Sequence, residues 1–213
     1  MAKFPSSPGV HALASLSPEI CTLRAGTILA RIYYSRGEHP QVWNQFRYFG
    51  PLNSRWDHHS LSAEGNSEIQ SRGIYYAARD AKTCLAEAFQ VARRIDRVFQ
   101  APWLVVFETL SELKLLDLTG DFATRMGASM AIHSGSRGRA RSWARDLFEA
   151  YPETQGILYA ASMHGGAPAM ALNERALTAP LFPAHPLFHR ALADDAMLDT
   201  LKHAAQALGY ALR

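Results

Sequence analysis

The stretch from Gly73 to Phe89 constrains the fold most, because it commits two element types within seventeen residues. Ile74, Tyr75 and Tyr76 follow a glycine and are β-favouring, so they predict a short strand. Asp80 suits an N-cap, and Ala81, Leu85, Ala88, Phe89 and Ala92 recur at helical spacing. The strand therefore runs directly into a helix. Glu87 falls well inside that helix and shares a face with Cys84 and Val91. A carboxylate among such neighbours is partly desolvated, and is then either paired or put to use. The plainer reading is a solvated helix glutamate.

The rest of the chain is read around this unit. Thr27 to Tyr34 predicts a strand whose apolar run is broken by Arg31. An arginine in such a run ordinarily snorkels or forms an ion pair. Residues 35–72 carry little periodicity but hold Trp43, Phe46, Tyr48 and Phe49, then Arg55-Trp56-Asp57-His58-His59. A long irregular segment in a compact domain is often functional. Adjacent histidines point different ways and no cysteine or carboxylate cluster completes a site, so no metal is expected. Leu61 to Ser71 reads as an exposed loop.

Further strands are expected at Trp103–Phe107 and Leu113–Leu118, and a short helix around Phe122–Ser129. The turn at Gly135–Gly138 either cradles an anion at the next helix start or is a plain loop. Arg139 to Tyr151 is amphipathic through Trp143, Leu147 and Phe148, and Pro152 ends it. Gly156 to Ala161 predicts a strand with Ser162 at its C-terminal end, turning back through His164-Gly-Gly into Ala169–Leu172. Asp194 to Leu208 predicts a helix capped by Gly209. The first twenty residues are rich in Pro and Ser and read as loose at the start, with a helical turn beginning at Ser17–Ile20. With no internal repeat and no linker, residues 1–213 read as one α+β domain, core about 27–180.

Composition excludes some classes. No apolar run approaches the ~18 residues of a membrane span, and the start lacks the apolar run of a signal peptide. A cytoplasmic protein is expected, with Cys21 and Cys84 as reduced core thiols. The net charge is only +3, and the one dense basic run, Arg137 to Arg145, falls mostly on a helix and reads as a solvated face. No direct nucleic-acid partner is expected. Arginine dominates the cations, and it grips phosphate and carboxylate with two parallel hydrogen bonds.

The order Arg31, Arg55-Trp56, Tyr76, Glu87 and Ser162 resembles the RES-domain family, the toxin halves of bacterial RES–Xre toxin–antitoxin pairs. That family pairs a strand-end tyrosine with a helical glutamate eleven residues later, as Tyr76 and Glu87 are placed here. Its Gly-Arg-Trp segment looks like Ser54-Arg55-Trp56, and its closing Gly-Ile-x-Tyr-x-Ser looks like Gly156 to Ser162 with one extra residue. The chain departs from the family where Ile32 follows Arg31 in place of a tyrosine; Tyr33 is the nearest substitute.

The resemblance implies an ADP-ribosyltransferase-like fold, with mixed sheets and flanking helices around an NAD cleft. It implies an enzyme that cleaves the nicotinamide–ribose bond, with water or phosphate as acceptor, or one that transfers ADP-ribose to a protein. NAD is then substrate, phosphate a co-substrate, and no resident cofactor or metal is implied. Arg31 and Arg55 would clamp the diphosphate, and Tyr76, with Tyr33 beside Arg31, would pack on nicotinamide or ribose. Glu87 would offset the charge that develops on the ribose carbon. Ser162 would hydrogen-bond in the nicotinamide half or hold Glu87. The implied partner is a helix-turn-helix antitoxin of Xre type, with room for a homodimer in the complex. The non-enzyme alternative is a small-ligand or RNA-binding module of a stress locus, which would have no need of Glu87.

Overall fold

The computed structural model describes residues 4–213; Met1–Lys3 lie outside the described residues. The chain starts with α1 (Val10–Ala14), β1 (Ile20–Leu23), β2 (Ile28–Tyr34), β3 (Arg47–Gly50) and β4 (Glu68–Ala78). Next come α2 (Ala81–Ala88), β5 (Arg94–Ile95), β6 (Pro102–Glu108), β7 (Leu113–Asp117) and α3 (Phe122–Arg125). It finishes with α4 (Arg137–Ala150), β8 (Gly156–Ala160), β9 (Pro168–Asn173), β10 (Phe188–Ala191), α5 (Leu198–Leu208) and β11 (Ala211–Leu212). The expected α+β domain is observed as a nine-stranded mixed sheet in the order β1-β7-β8-β9-β4-β2-β6-β10, with β3 also paired to β4. β7 and β8 are parallel and the other neighbours antiparallel. β5 and β11 form a small parallel pair.

Alternation along the strands divides the core between the two sheet faces. Ile74 and Ala78 of β4 join Leu85, Phe89, Trp143, Leu147 and Leu201 on the face covered by α2, α4 and α5. Tyr75 and Ala77 join Leu29, Tyr33, Phe107 and Met170 on the other. Trp56 and Trp143 are completely buried. Each large apolar side chain buried to this extent contributes about 1.5–3 kcal/mol.

One irregularity positions everything that follows. β2 pairs with β6 along its whole length, Ile28↔Glu108 to Tyr34↔Pro102. On its other edge it pairs with β4 only at Ala30↔Ala78. Beyond that point the strands splay apart. β3 takes over the edge of β4, starting at Arg47↔Ile74. The gap leaves main-chain groups of β2 and β4 facing a cleft instead of a neighbouring strand.

Several expectations need correction. Ser17–Ile20 makes no helical turn; Ile20 begins β1, which pairs with β7. The looseness expected at Met1–Lys3 lies outside the described residues; from Phe4 on the segment is held, because Phe4 stacks on Trp143 at 6.4 Å and Trp143 Nε1 donates to Pro5 O at 3.0 Å. Residues 35–72 include β3, and the expected loop at 61–71 already contains the start of β4. The helix expected over Phe122–Ser129 stops at Arg125, and Gly127 follows with φ +88°. α4 begins at Arg137, two residues early, because Ser136 rather than the glycines caps it. α2 ends at Ala88, so Glu87 lies in its last turn, and Val91 is 82 % exposed instead of sharing its face. Cys84 is a buried thiol as expected, but Cys21 sits half-buried on the edge strand β1. The C-terminal helix ends as expected, with Gly209 left-handed at φ 66°.

Candidate active site

The splay between β2 and β4 opens a cavity of about 490 Å³. Ile32 and Tyr34 line one wall and Ile74, Tyr76 and Ala77 the other. Cys84, Glu87, Gln90 and Val91 close one side, and Ser54, Arg55, Arg137 and Tyr159 another. α2 is held against the split by its first residues. Asp80 accepts from Thr83 N at 2.8 Å, and Cys84 Sγ donates to Ala30 O at 3.1 Å. Burial pushes the Cys84 thiol up to about 12, so it is a packing group and not a nucleophile.

Glu87 is half-buried at the rim. Its Oε1 accepts from Met163 N at 3.3 Å, and its Oε2 accepts from Gln90 Nε2 at 3.3 Å. Burial raises its pKa above the usual carboxylate value. The Met163 and Ser162 main chain and the charges of Arg55 and Arg137 offset that only in part.

Four arginines line the cavity; Arg47 is paired with Asp57, which leaves Arg31, Arg55 and Arg137. Arg31 is 4 % exposed, and its guanidinium lies 4.0 Å from the centre of the Tyr75 ring. It donates to Gln45 O at 3.1 Å and to Gln41 Oε1. Arg55 donates through Nη1 to Gly135 O at 2.7 Å, which ties the β3–β4 connection to the start of α4. Gly135 is required there because a Cβ would lie 2.7 Å from Ala131 O. Burial and the adjacent Arg137 guanidinium pull the Arg55 pKa down. Among the described residues, no carboxylate forms an ion pair with Arg31, Arg55 or Arg137. Buried or crowded guanidinium groups without a partner acid make a site that favours an anion.

Tyr76 lines the cavity, and its hydroxyl accepts from Trp56 N at 3.2 Å. Burial pushes the phenols of Tyr76 and Tyr159 well above their ordinary range, so both stay neutral. The structure thus brings together Arg31, Arg55, Tyr76 and Glu87. It does not bring Tyr33 into the lining. Tyr33 shares a strand face with Arg31, but only Arg31, next to the point where β2 leaves β4, reaches the lining; the Tyr33 hydroxyl pairs with His189 Nε2 at 2.6 Å, and Tyr34 faces the cleft. Ser162 is exposed at the β8–β9 turn and outside the lining, and its main chain rather than its hydroxyl supports Glu87.

Sequence reasoning missed Arg137, Tyr159, Gln90 and Tyr34. Arg137 was assigned to a solvated face. Its signal was the N-cap Ser136 immediately before it, which makes it the first helical residue at the cleft rim.

The two histidines beside Trp56 are structural. Asp57 is fully buried, with Arg47 Nη2 at 2.7 Å and His59 Nδ1 in contact. His58 Nε2 meets Glu174 Oε2 at 3.3 Å. Burial keeps His58 neutral, so this contact is a hydrogen bond from a neutral ring. Among the described residues, no cluster of three potential metal ligands occurs. No helix there is long and apolar enough to cross a membrane.

Comparison with known proteins bears on this geometry. A chain of the M. tuberculosis MbcT–MbcA toxin–antitoxin complex superposes with a TM-score of 0.56 at 15 % identity. The match covers 85 % of this chain and 92 % of that one, and it establishes a shared fold. No protein of curated function gives a significant match. The family model described as RES domain matches residues 28–199, and the chain belongs to that family.

Proposed function

We propose that this chain is a toxin enzyme that cleaves the nicotinamide–ribose bond of NAD and is neutralised by a cognate antitoxin. The observation that carries this is one cleft in which Glu87, Arg31, Arg55, Arg137, Tyr76 and Tyr159 converge. A dinucleotide offers the diphosphate that unpaired guanidinium groups want. It also offers a flat cationic ring for Tyr76 and Tyr159.

The chemistry follows from the charges. The bond between ribose C1′ and the nicotinamide nitrogen breaks, and its electron pair neutralises the pyridinium. Positive charge passes to the ribose carbon and its ring oxygen. Glu87, ionised and sparsely solvated, offsets that charge more strongly in the transition state than in the ground state. An oxygen of water or phosphate then bonds to C1′. With water, the products are nicotinamide, ADP-ribose and a proton. Met163 N–H fixes one Glu87 oxygen, so the carboxylate reorganises little during the reaction. No metal enters these steps, and the setting is cytoplasmic.

The antitoxin partner is inferred from the fold shared with a chain of a toxin–antitoxin complex. A helix-turn-helix protein of Xre type, encoded beside this gene, would cover the cleft. Expressing the chain alone should arrest growth and deplete cellular NAD, and co-expression of that neighbour should restore both. Harmless expression with an unchanged NAD pool would overturn the proposal. Arrest with intact NAD and ADP-ribose on a cellular protein would favour protein modification instead.

A further inference from the structure

We propose that Gln90 is the positioning residue for Glu87, fixing its second carboxylate oxygen from the opposite side to the Ser162–Met163 turn. The inference rests on the reading of Glu87 as the charge that answers the ribose cation.

Gln90 lies one residue beyond Phe89, the C-cap of α2, where the chain has left the helix but still follows its rim. Its Nε2 donates to the main-chain oxygen of Glu87 at 2.8 Å and to Glu87 Oε2 at 3.3 Å. One amide therefore terminates the helix and holds the carboxylate of the same residue. Met163 N reaches the other oxygen, Oε1, at 3.3 Å. Among the described residues, Gln90 is the sole side chain that hydrogen-bonds the Glu87 carboxylate. The turn bearing Met163 is itself tied back to α2, because Thr83 Oγ1 pairs with His164 Nδ1 at 2.8 Å. The carboxylate is thus gripped between Gln90, just past the end of α2, and a turn that is tied to the start of α2.

The grip has a chemical consequence. A freely rotating carboxylate would spend its charge on Arg55 and Arg137, the cations that face it from the β3–β4 connection and from α4. Tyr159, Tyr210 and Cys84 face it from β8, the C-terminal segment and α2. Those three add no donor to the carboxylate. Burial already works against its ionisation. An oriented amide donor favours the anion and aims its free lone pairs into the cavity, which Gln90 also lines.

The test uses the full chain with Gln90→Met, which keeps length but removes the donor, and Gln90→Lys, which restores a donor of similar reach. Titration of the Glu87 carboxyl is followed by carbon-13 NMR, assigned by its absence in Glu87→Gln. NAD turnover is measured across pH on the same samples. In Gln90→Met the Glu87 midpoint should move to higher pH, and kcat should fall about tenfold, the loss of one hydrogen bond to a charged group. KM should change less than about threefold, and Gln90→Lys, which adds a cation as well as a donor, should bring the midpoint down to the wild-type value or below it. A Glu87 midpoint in Gln90→Met that coincides with wild type would overturn the proposal. If wild-type protein leaves NAD intact, the functional reading fails, and the NMR titration still decides the role of Gln90.

Discussion

Replacing Glu87 with glutamine separates a catalytic carboxylate from a structural one. The change keeps volume, and the amide oxygen can still accept from Met163 N–H in place of Oε1. What disappears is the negative charge that the proposed mechanism sets against the ribose cation. Losing one such electrostatic contact costs roughly 10²–10³ in rate, or about 2.7–4 kcal/mol of transition-state stabilisation. NAD affinity should barely change, because the ribose cation hardly exists in the ground state. Stability should move the other way. The folded pKa of Glu87 lies above its unfolded value, so the native state binds more protons between the two. Wild-type stability therefore declines as pH rises through that window, and the charge is a burden at neutral pH. Glu87→Gln should melt at or above the wild-type temperature at pH 7 and lose the decline. NAD turnover and thermal melting on one sample decide the matter. A stable variant that keeps more than about a tenth of wild-type turnover would refute the charge-balancing role.

Other outcomes are equally specific. Arg55→Ala should weaken NAD binding by about 10- to 100-fold, one lost charge-assisted contact; Arg31→Ala should do the same and also lower the melting temperature. That added loss is expected because Arg31 holds Gln45 O and covers Tyr75. Unchanged affinity by calorimetry for either variant would remove that arginine from the site. Trp56→Ala should cost about 3–5 kcal/mol in urea unfolding, as for a fully buried tryptophan; a loss below about 1 kcal/mol would contradict the packing described. Glu174 is held down at about 2, with a hydrogen bond from His58 and one from Gly73 N outweighing its burial. A depressed carboxylate stabilises the fold above its unfolded pKa and loses that contribution as pH falls through the folded one. Wild-type unfolding free energy should therefore drop between about pH 5 and pH 2 more steeply than in Glu174→Gln. Parallel acid limbs would show that the contact contributes nothing.

The elements with local signals were legible in the sequence. Periodicity and caps marked α2 and α5, and β-rich runs marked β2, β6, β7 and the β8–β9 hairpin. Tyr76 and Glu87 could be placed because one strand–helix unit carries both. What stayed hidden depends on long-range pairing. β3 is four residues long and the early start of β4 is polar, and each exists because it supplies the other's edge. The splay of β2 from β4 is equally non-local, so no window of residues announces the cleft. Tyr33 is misplaced for a simpler reason: it shares Arg31's strand face, but beyond the splay that face packs on His189, and the cavity wall takes Arg31, Ile32 and Tyr34. Arg137 was hidden because a basic helix residue at a rim looks like a solvated one until Arg55 is seen beside it.

The central claim is chemical, and its most direct test is incubation of the pure protein with NAD, with and without phosphate, resolving every product. The account predicts free nicotinamide in step with loss of NAD. The adenine-containing product should be ADP-ribose in water, and a phosphorylated ADP-ribose when phosphate is the acceptor. NAD that survives unchanged alongside folded, fully soluble protein would contradict it.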